Sequence, residues 1–210
     1  MNTTTSDAQD LADMARLCAG HESALNGLME RHAGRLSAYL VRVLQDEAEA
    51  SDLAQESFVR VYLHRDRFKP AARFSTWIYA IATNLARDRL RRISRHPHVS
   101  MESPQPDAAG LNQVLAIDEP NPHESLVFAE RAAAVRNAVA ELPEDLRVPL
   151  ILSEYEDQSN AEIAAVLDCS AKAVEMRLYR ARQQLRTKLA PLLRAEPILG
   201  SCNARNPSGE

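Results

Sequence analysis

The chain has 210 residues, a net charge of −4, 45% apolar residues, only 5% aromatic residues and six glycines. That length admits two small domains, the composition rich in alanine, leucine, arginine and glutamate favours helices, and no alternating apolar run argues for a sheet. No stretch approaches the roughly 20 apolar residues of a membrane span, and the opening MNTTTSDAQD is polar and acidic, so a soluble cytoplasmic protein without membrane insertion is expected.

In chain order, residues 1–9 read as a disordered tail. From Leu11 to Leu44, apolar positions such as Met14, Leu25, Leu28, Leu36, Leu40 and Val43 predict two helices, with a break near Gly20-His21-Glu22. Asp46 to Leu63 forms a third helix, burying Ala50, Leu53, Ala54, Phe58, Val61 and Tyr62. Its other side carries Glu49, Asp52 and Glu56 at i, i+3 and i+7. Like charges at that spacing repel by about 0.2–0.5 kcal/mol per pair, so this face either suits a basic partner or is simply solvated. Three carboxylates strung along one helix do not converge on a metal.

After a polar connection from His64 to Phe74, a fourth helix runs to Arg95, started by a Ser75 or Thr76 cap. Trp77, Ile78, Ile81, Ala82, Leu85 and Leu90 are packing positions; a lone Trp on an apolar face belongs to the core. Arg87, Arg89, Arg91, Arg92 and Arg95 then exceed what the helix dipole needs, which favours a phosphate-binding stripe. Asn84 sits just before that stripe, within reach of a base, and the preceding connection could clamp an unstacked one.

Residues 96–123 lose all periodicity and contain Pro97, Pro104, Pro106, Pro120 and Pro122 among acidic residues, the composition of a flexible linker. A second domain spans 124–193, followed by a tail at 194–210. It contains a helix through Leu142, a second starting at Pro143-Glu144-Asp145 and ending near Tyr155, and then a helix-turn-helix. Ser159 and Glu162 form a capping-box signal, and Ile163, Val166 and Leu167 supply an apolar face. Asp168-Cys169-Ser170 is the break, with Ser170 able to cap the last helix. There Val174, Leu178, Ala181, Leu185 and Leu189 form a buried stripe, and Lys172, Arg177, Arg180, Arg182, Arg186 and Lys188 occupy the other faces. Such a helix can enter a DNA major groove; a solvated basic helix is the plainer alternative.

The acid excess is unusual for a free-standing DNA binder, but the charges are sorted. Two basic patches (Arg87–Arg95 and Lys172–Lys188) stand against acidic segments, which suggests weak DNA affinity alone and an acidic face for a basic protein partner. Cys18, Cys169 and Cys202 are odd in number and lack ligand spacing, and the six histidines are scattered. With no glycine-rich phosphate loop, no GxSxG and no metal spacing, neither an enzyme nor a cofactor is expected.

These pieces, in this order, resemble the extracytoplasmic-function sigma factors, the smallest sigma subunits of bacterial RNA polymerase. DEAEASDLAQESFVRVY is similar to the family's polymerase-binding helix, and FSTWIYAIATNLARDRLRR to its −10 recognition and melting helix. ELPEDLRVPLILSEYEDQSNAEIAAVLDCS followed by AKAVEMRLYRARQQL resembles its −35-binding domain, and the acidic linker is the fourth match.

The resemblance implies an all-α fold of two small helical domains, region 2 at 10–95 and region 4 at 124–193, joined by the linker. It further implies a non-enzymatic initiation factor that directs core polymerase to promoter DNA and assists −10 melting, under the control of an anti-sigma protein. On it, Asp46, Glu49, Asp52, Gln55 and Glu56 engage the clamp helices of the largest polymerase subunit. Asp66, Arg67, Lys69 and Arg73 belong to the loop that captures a flipped −10 base, with Asn84 supporting and Arg87, Arg91 and Arg92 on phosphates. Region 4 docks on the polymerase flap and brings Ser170, Lys172, Glu175, Met176, Tyr179 and Arg180 to the −35 groove, with Arg177 and Arg182 on phosphates or on the polymerase. The linker threads toward the RNA exit path.

This chain departs from the family pattern in two places. Gln158-Ser159-Asn160 replaces a Gly-hydrophobic pair, and Glu175 stands where a basic residue is frequent, so it would accept from a cytosine amine rather than donate to a guanine. A stand-alone helix-turn-helix regulator leaves the acidic and basic helices unexplained together. A sigma-like decoy that titrates an anti-sigma protein could dispense with the DNA-facing arginines kept here.

Overall fold

A computed structural model describes residues 3–95 and 122–194, with side chains described for 6–95 and 129–191. Among these residues the chain forms eight α-helices and one 3-10 turn: α1 (Thr3–Cys18), α2 (Ala24–Leu44), α3 (Glu47–Leu63), the turn Arg65–Arg67, α4 (Phe74–Arg95), α5 (Pro122–Ala140), α6 (Glu144–Glu154), α7 (Asn160–Leu167) and α8 (Ala171–Arg194). The expected linker lies almost wholly outside the described residues, as does the expected tail beyond Arg194.

Helix α1 ends at the expected break in a Schellman motif. His21 N–H reaches Arg16 O at 3.0 Å and Gly20 N–H reaches Leu17 O at 3.1 Å, with Gly20 at φ 93°. Only glycine takes that left-handed φ without cost. Helix α2 stops at Gln45, also left-handed at φ 60°, and Asp46 starts α3 by accepting the Glu49 N–H at 3.0 Å. Helices α1 to α4 then close around Met14, Leu28, Tyr39, Leu40, Phe58 and Ile78, each at most 3% exposed. Trp77 packs as expected, its ring centroid 5.3 Å from that of Phe68 in the polar connection.

Two expectations are corrected. The predicted N-terminal tail is helical from Thr3, because Asp7 bonds Arg73 and Asp10, 1% exposed, bonds both Arg31 and His32 at 2.8 Å. Polar residues that look solvated in sequence are the pins that fasten α1. Nor does Ser75 or Thr76 precede α4. The helix already includes Phe74, with Trp77 N–H bonded to Arg73 O, and the Thr76 hydroxyl instead donates to Gln158 Oε1 at 3.4 Å.

In the second half, α6, α7 and α8 pack around Ile151, Leu152, Ile163 and Val174, none more than 0% exposed. The capping box is present in both directions: Ser159 N–H reaches Glu162 Oε2 at 2.8 Å, and Glu162 N–H reaches Ser159 Oγ at 3.3 Å. Asp168 turns the chain at φ 49°, and Ser170 Oγ accepts the Ala173 N–H at 3.1 Å. The two halves also touch: α4 lies against α7 and α2 against α6. Nothing in the sequence pattern announces that docking.

Candidate nucleic-acid interface

The periodicity of α8 separates its two sides. Val174, Leu178 and Ala181 are buried against α6 and α7, so Lys172, Glu175, Met176, Tyr179 and Arg180, at offsets 0, 3, 4, 7 and 8, form one exposed stripe. Tyr179 is 59% exposed and Met176 43%, apolar area that no neighbour covers. Within the stripe Lys172 Nζ meets Glu175 Oε2 at 2.9 Å and Gln183 donates to the Tyr179 hydroxyl at 3.0 Å. An exposed pair of this kind is worth about 0.2–0.5 kcal/mol, so a base edge can displace it at little cost. Arg177 and Arg182 point elsewhere. Arg177 approaches Cys169 Sγ at 3.6 Å, and Arg182 pairs with Glu154 of α6 at 2.7 Å.

The second basic region is organised differently. Asp66, Arg67 and Lys69 around the 3-10 turn are exposed, as are Asn84, Arg91 and Arg92 of α4, with Arg91 3.7 Å from Asp88. The other two predicted −10 residues are occupied. Arg87 Nε pairs with Glu144 of α6 at 2.8 Å, and Arg73 pairs with Asp7 of α1 and Glu162 of α7, each at 2.9 Å. Hydrogen bonds to Asp7 and then Glu162 outweigh burial and hold the Arg73 guanidinium even more firmly protonated.

The acidic side of α3 is less open than its sequence suggests. Glu49 pairs with Arg89 of α4, Glu56 with Arg60 at 2.9 Å, and the Asp46 carboxylate is spent on its own helix start. These arginines relieve the expected like-charge repulsion inside the chain, leaving Asp52 and Gln55 as the freely exposed members.

Sequence reasoning missed a polar cluster between the two halves. Glu156, 4% exposed, accepts from the Tyr79 hydroxyl and from Arg35 Nε at 3.2 Å; Gln158, 7% exposed, takes the Thr76 hydroxyl. Burial pushes the Glu156 carboxyl up, against the opposing pull of Tyr79, Arg35 and Arg42. Burial and the neighbouring Glu156 likewise push the Tyr79 phenol up. One signal existed: Gln158 departs from the family pattern at the position that reaches Thr76. Among the described residues no three His, Cys, Asp or Glu side chains gather where a metal could bind.

Comparison with known proteins follows this division. The model of Sigma-70 region 2 matches residues 28–96, and that of Sigma-70, region 4 matches residues 132–185. The RNA polymerase sigma-H factor of Pseudomonas aeruginosa is 34% identical over 187 residues, covering 89% of this chain and 96% of that one. The ECF RNA polymerase sigma-E factor of Escherichia coli K12 is 31% identical over 183 residues, covering 85% and 93%. The structure of CnrH in complex with the cytosolic domain of CnrY superposes with a TM-score of 0.60 at 26% identity, over 90% of this chain and 99% of that one. The sigma factor RpoE in complex with the anti-sigma factor NepR from Bartonella quintana shares the fold, with a TM-score of 0.60 at 21% identity over 79% and 96%.

Proposed function

The chain belongs to the sigma-70 family, as an extracytoplasmic-function RNA polymerase sigma factor, and from that membership we propose how its surfaces divide the work of initiation. It is a transcription initiation factor, not an enzyme, that directs core RNA polymerase to promoter DNA. Its two units are residues 10–95 and 124–193, with the acidic segment 96–123 threading toward the RNA exit path. The first turns of α1 belong with the first unit.

The −35 element is read by the exposed stripe of α8. Lys172, Glu175 and Met176 lie in its first turns, where a recognition helix meets base edges, and Tyr179 and Arg180 follow one turn later. Glu175 accepts from a cytosine amine, which its Lys172 pairing leaves only lightly hindered. Ser170 caps the helix at the DNA-facing end and Arg177 and Arg182 serve phosphates or the polymerase flap. The observation that carries this reading is the division of α8 into a buried Val174–Leu178–Ala181 side and an uncovered reading side.

At the −10 element, exposed Asp66, Arg67 and Lys69, with Arg73, form the loop that receives a base flipped from the stack, and Asn84 supports it. Unstacking a base costs about a few kcal/mol, which Arg87, Arg91 and Arg92 offset by binding backbone phosphates. Asp52 and Gln55 lead the contact with the polymerase clamp helices; Asp46, Glu49 and Glu56 join once Glu49 and Glu56 exchange their own arginines for the polymerase's. An anti-sigma protein restrains the factor. Support comes from the relative RpoE, solved in complex with the anti-sigma factor NepR. The factor works in the cytoplasm, and none of its described helices is long and apolar enough to cross a membrane.

Run-off transcription with core polymerase on a promoter library tests the whole reading. Polymerase-dependent transcripts from a common −35/−10 pair are expected. A folded protein that yields none, or that binds duplex DNA tightly by itself, refutes it.

A further inference from the structure

Arg73, at the end of the polar connection, is held by an acid of the first helix. Its Nε and Nη2 both meet one carboxylate oxygen of Asp7, at 2.9 and 2.8 Å, so Asp7 occupies the side edge of the guanidinium. Glu162 takes Nη1 at 2.9 Å, on the end edge. The two acids therefore hold different edges of one planar group. A guanidinium carries its donors in a rigid fork, so an acid on the side edge leaves the paired Nη1 and Nη2 donors of the end edge for another acceptor.

Fastening α1 does not account for Asp7. That helix is already tied to α2 by Asp10, 1% exposed, which bonds Arg31 and His32 at 2.8 Å, and by Asp13, which bonds Arg31 at 2.7 Å. The Asp7–Arg73 pair is more open, with side chains 32% and 37% exposed, and ion pairs that exposed add little stability. What Asp7 fixes is a direction. The backbone of Arg73 is set by its carbonyl, which accepts the Trp77 N–H at 3.2 Å, and by the next residue, Phe74, 1% exposed. With both ends of the side chain held, few rotamers remain to be lost when the end edge meets a ligand. Helix α1 also reaches the start of the same connection, where the Cys18 thiol donates to Arg65 O at 3.4 Å. Asp7 and Cys18 stand roughly 16 Å apart along the helix, so α1 lies along the connection like a splint. This helix precedes the residues matched by the region 2 model.

We infer that Asp7 is a positioning residue for promoter binding: it clasps the side edge of Arg73 and aims the end edge at the −10 strand. The inference rests on the proposed −10 role of Arg73. The acceptor at the end edge is a phosphate, whose two free oxygens match the paired donors. Asp7 acts only through the guanidinium. This gives its removal a diagnostic sign. An acid beside a DNA-binding surface repels phosphates, so loss of its charge alone would tighten binding. Loss of a positioning acid loosens it.

The test uses the full chain assembled with core polymerase on a promoter drawn from the run-off library. It reads the promoter concentration that gives half-maximal transcript. Asp7→Ala is expected to raise that concentration about two- to tenfold in the Arg73 chain, the coupling of two side chains in contact. In an Arg73→Lys chain, whose ammonium is a point charge with no side edge to clasp, the same substitution is expected to leave it unchanged or lower it. Asp7→Asn keeps an acceptor in place and is expected to give a smaller loss of the same sign, which serves where Asp7→Ala disturbs the start of α1. Equal loss in the Arg73 and Arg73→Lys chains overturns the positioning, since a general weakening of the fold does not depend on residue 73. So does unchanged or tighter binding by both Asp7 variants in the Arg73 chain, and the companion Arg73→Ala variant shows which idea has failed. If that variant weakens promoter binding, the −10 role stands and only the positioning falls. If it binds as before, the −10 role of Arg73 falls and takes the positioning with it.

Discussion

Helices α4 and α8 are both arginine-rich and both assigned to DNA, yet the chain treats them in opposite ways. The reading stripe of α8 is uncovered, its one internal ion pair weak and exposed. At α4, by contrast, Arg87 and the preceding Arg73 are clasped by carboxylates from the other half. The difference matches what each helix is proposed to touch. Base-edge readout in an intact duplex needs a helix standing clear of its own domain. A phosphate-binding strip that also stabilises separated strands would, if always open, hold single-stranded nucleic acid indiscriminately.

The largest effect that would break this comparison lies on the buried side of α8. Leu178→Ala should cost about 2–5 kcal/mol of stability in urea denaturation, since Leu178 is 3% exposed and its loss leaves a cavity. Tyr179→Ala, one position on, should change stability by no more than about 0.5 kcal/mol yet weaken −35-dependent transcription. Equal destabilisation by both would mean that α8 has no free face.

Next in size is the specificity of the stripe. Glu175→Gln should alter the preferred −35 base, with discrimination at one position changing by about 1–3 kcal/mol, read by run-off competition on permuted promoters. An unaltered preference would move the specificity away from Glu175. A smaller effect concerns the start of α7: Ser159→Ala removes one half of the capping box and should cost about 1 kcal/mol in the same denaturation assay.

The smallest expected effect is a pH dependence of the clasp, and its two acids act with opposite signs. The Glu156 carboxyl is pushed up by burial, against Tyr79, Arg35 and Arg42, so its contribution to closure is complete at acid pH and fades as pH rises through its raised value. Burial works to raise Glu162 too, but hydrogen bonds from Arg73 and Ser159 outweigh it and hold the carboxyl below the usual range. Its contribution is present above the ordinary glutamate value and lost as pH falls through the lowered one. Scattering across a pH series should therefore find the most compact chain between those two values, and Glu162→Gln should remove the acid-side expansion alone. An acid-side expansion that survives Glu162→Gln would show that another group opens the chain.

Local signals carried most of the fold. Ser159 with Glu162, Asp46 before α3 and Gly20 after α1 are cap residues whose chemistry acts within one turn, so they can be read without knowing the rest of the chain. The 3.6-residue spacing of Val174, Leu178 and Ala181 likewise fixed which side of α8 would be bare. What failed was any judgement about a polar residue whose partner is distant in sequence. Asp7 read as tail, Thr76 as a cap and Glu49 as an unrelieved charge; each is decided by a residue far along the chain, Arg73, Gln158 and Arg89.

The sequence by itself determined the helices, their buried sides and the family, because backbone capping and apolar periodicity are short-range and repeat along the chain. Only the tertiary structure decided which charges remain free. Whether Arg73 or Arg87 faces solvent depends on where Glu162 and Glu144 arrive in space, and attraction between charges so far apart in the chain has no sequence spacing to reveal it.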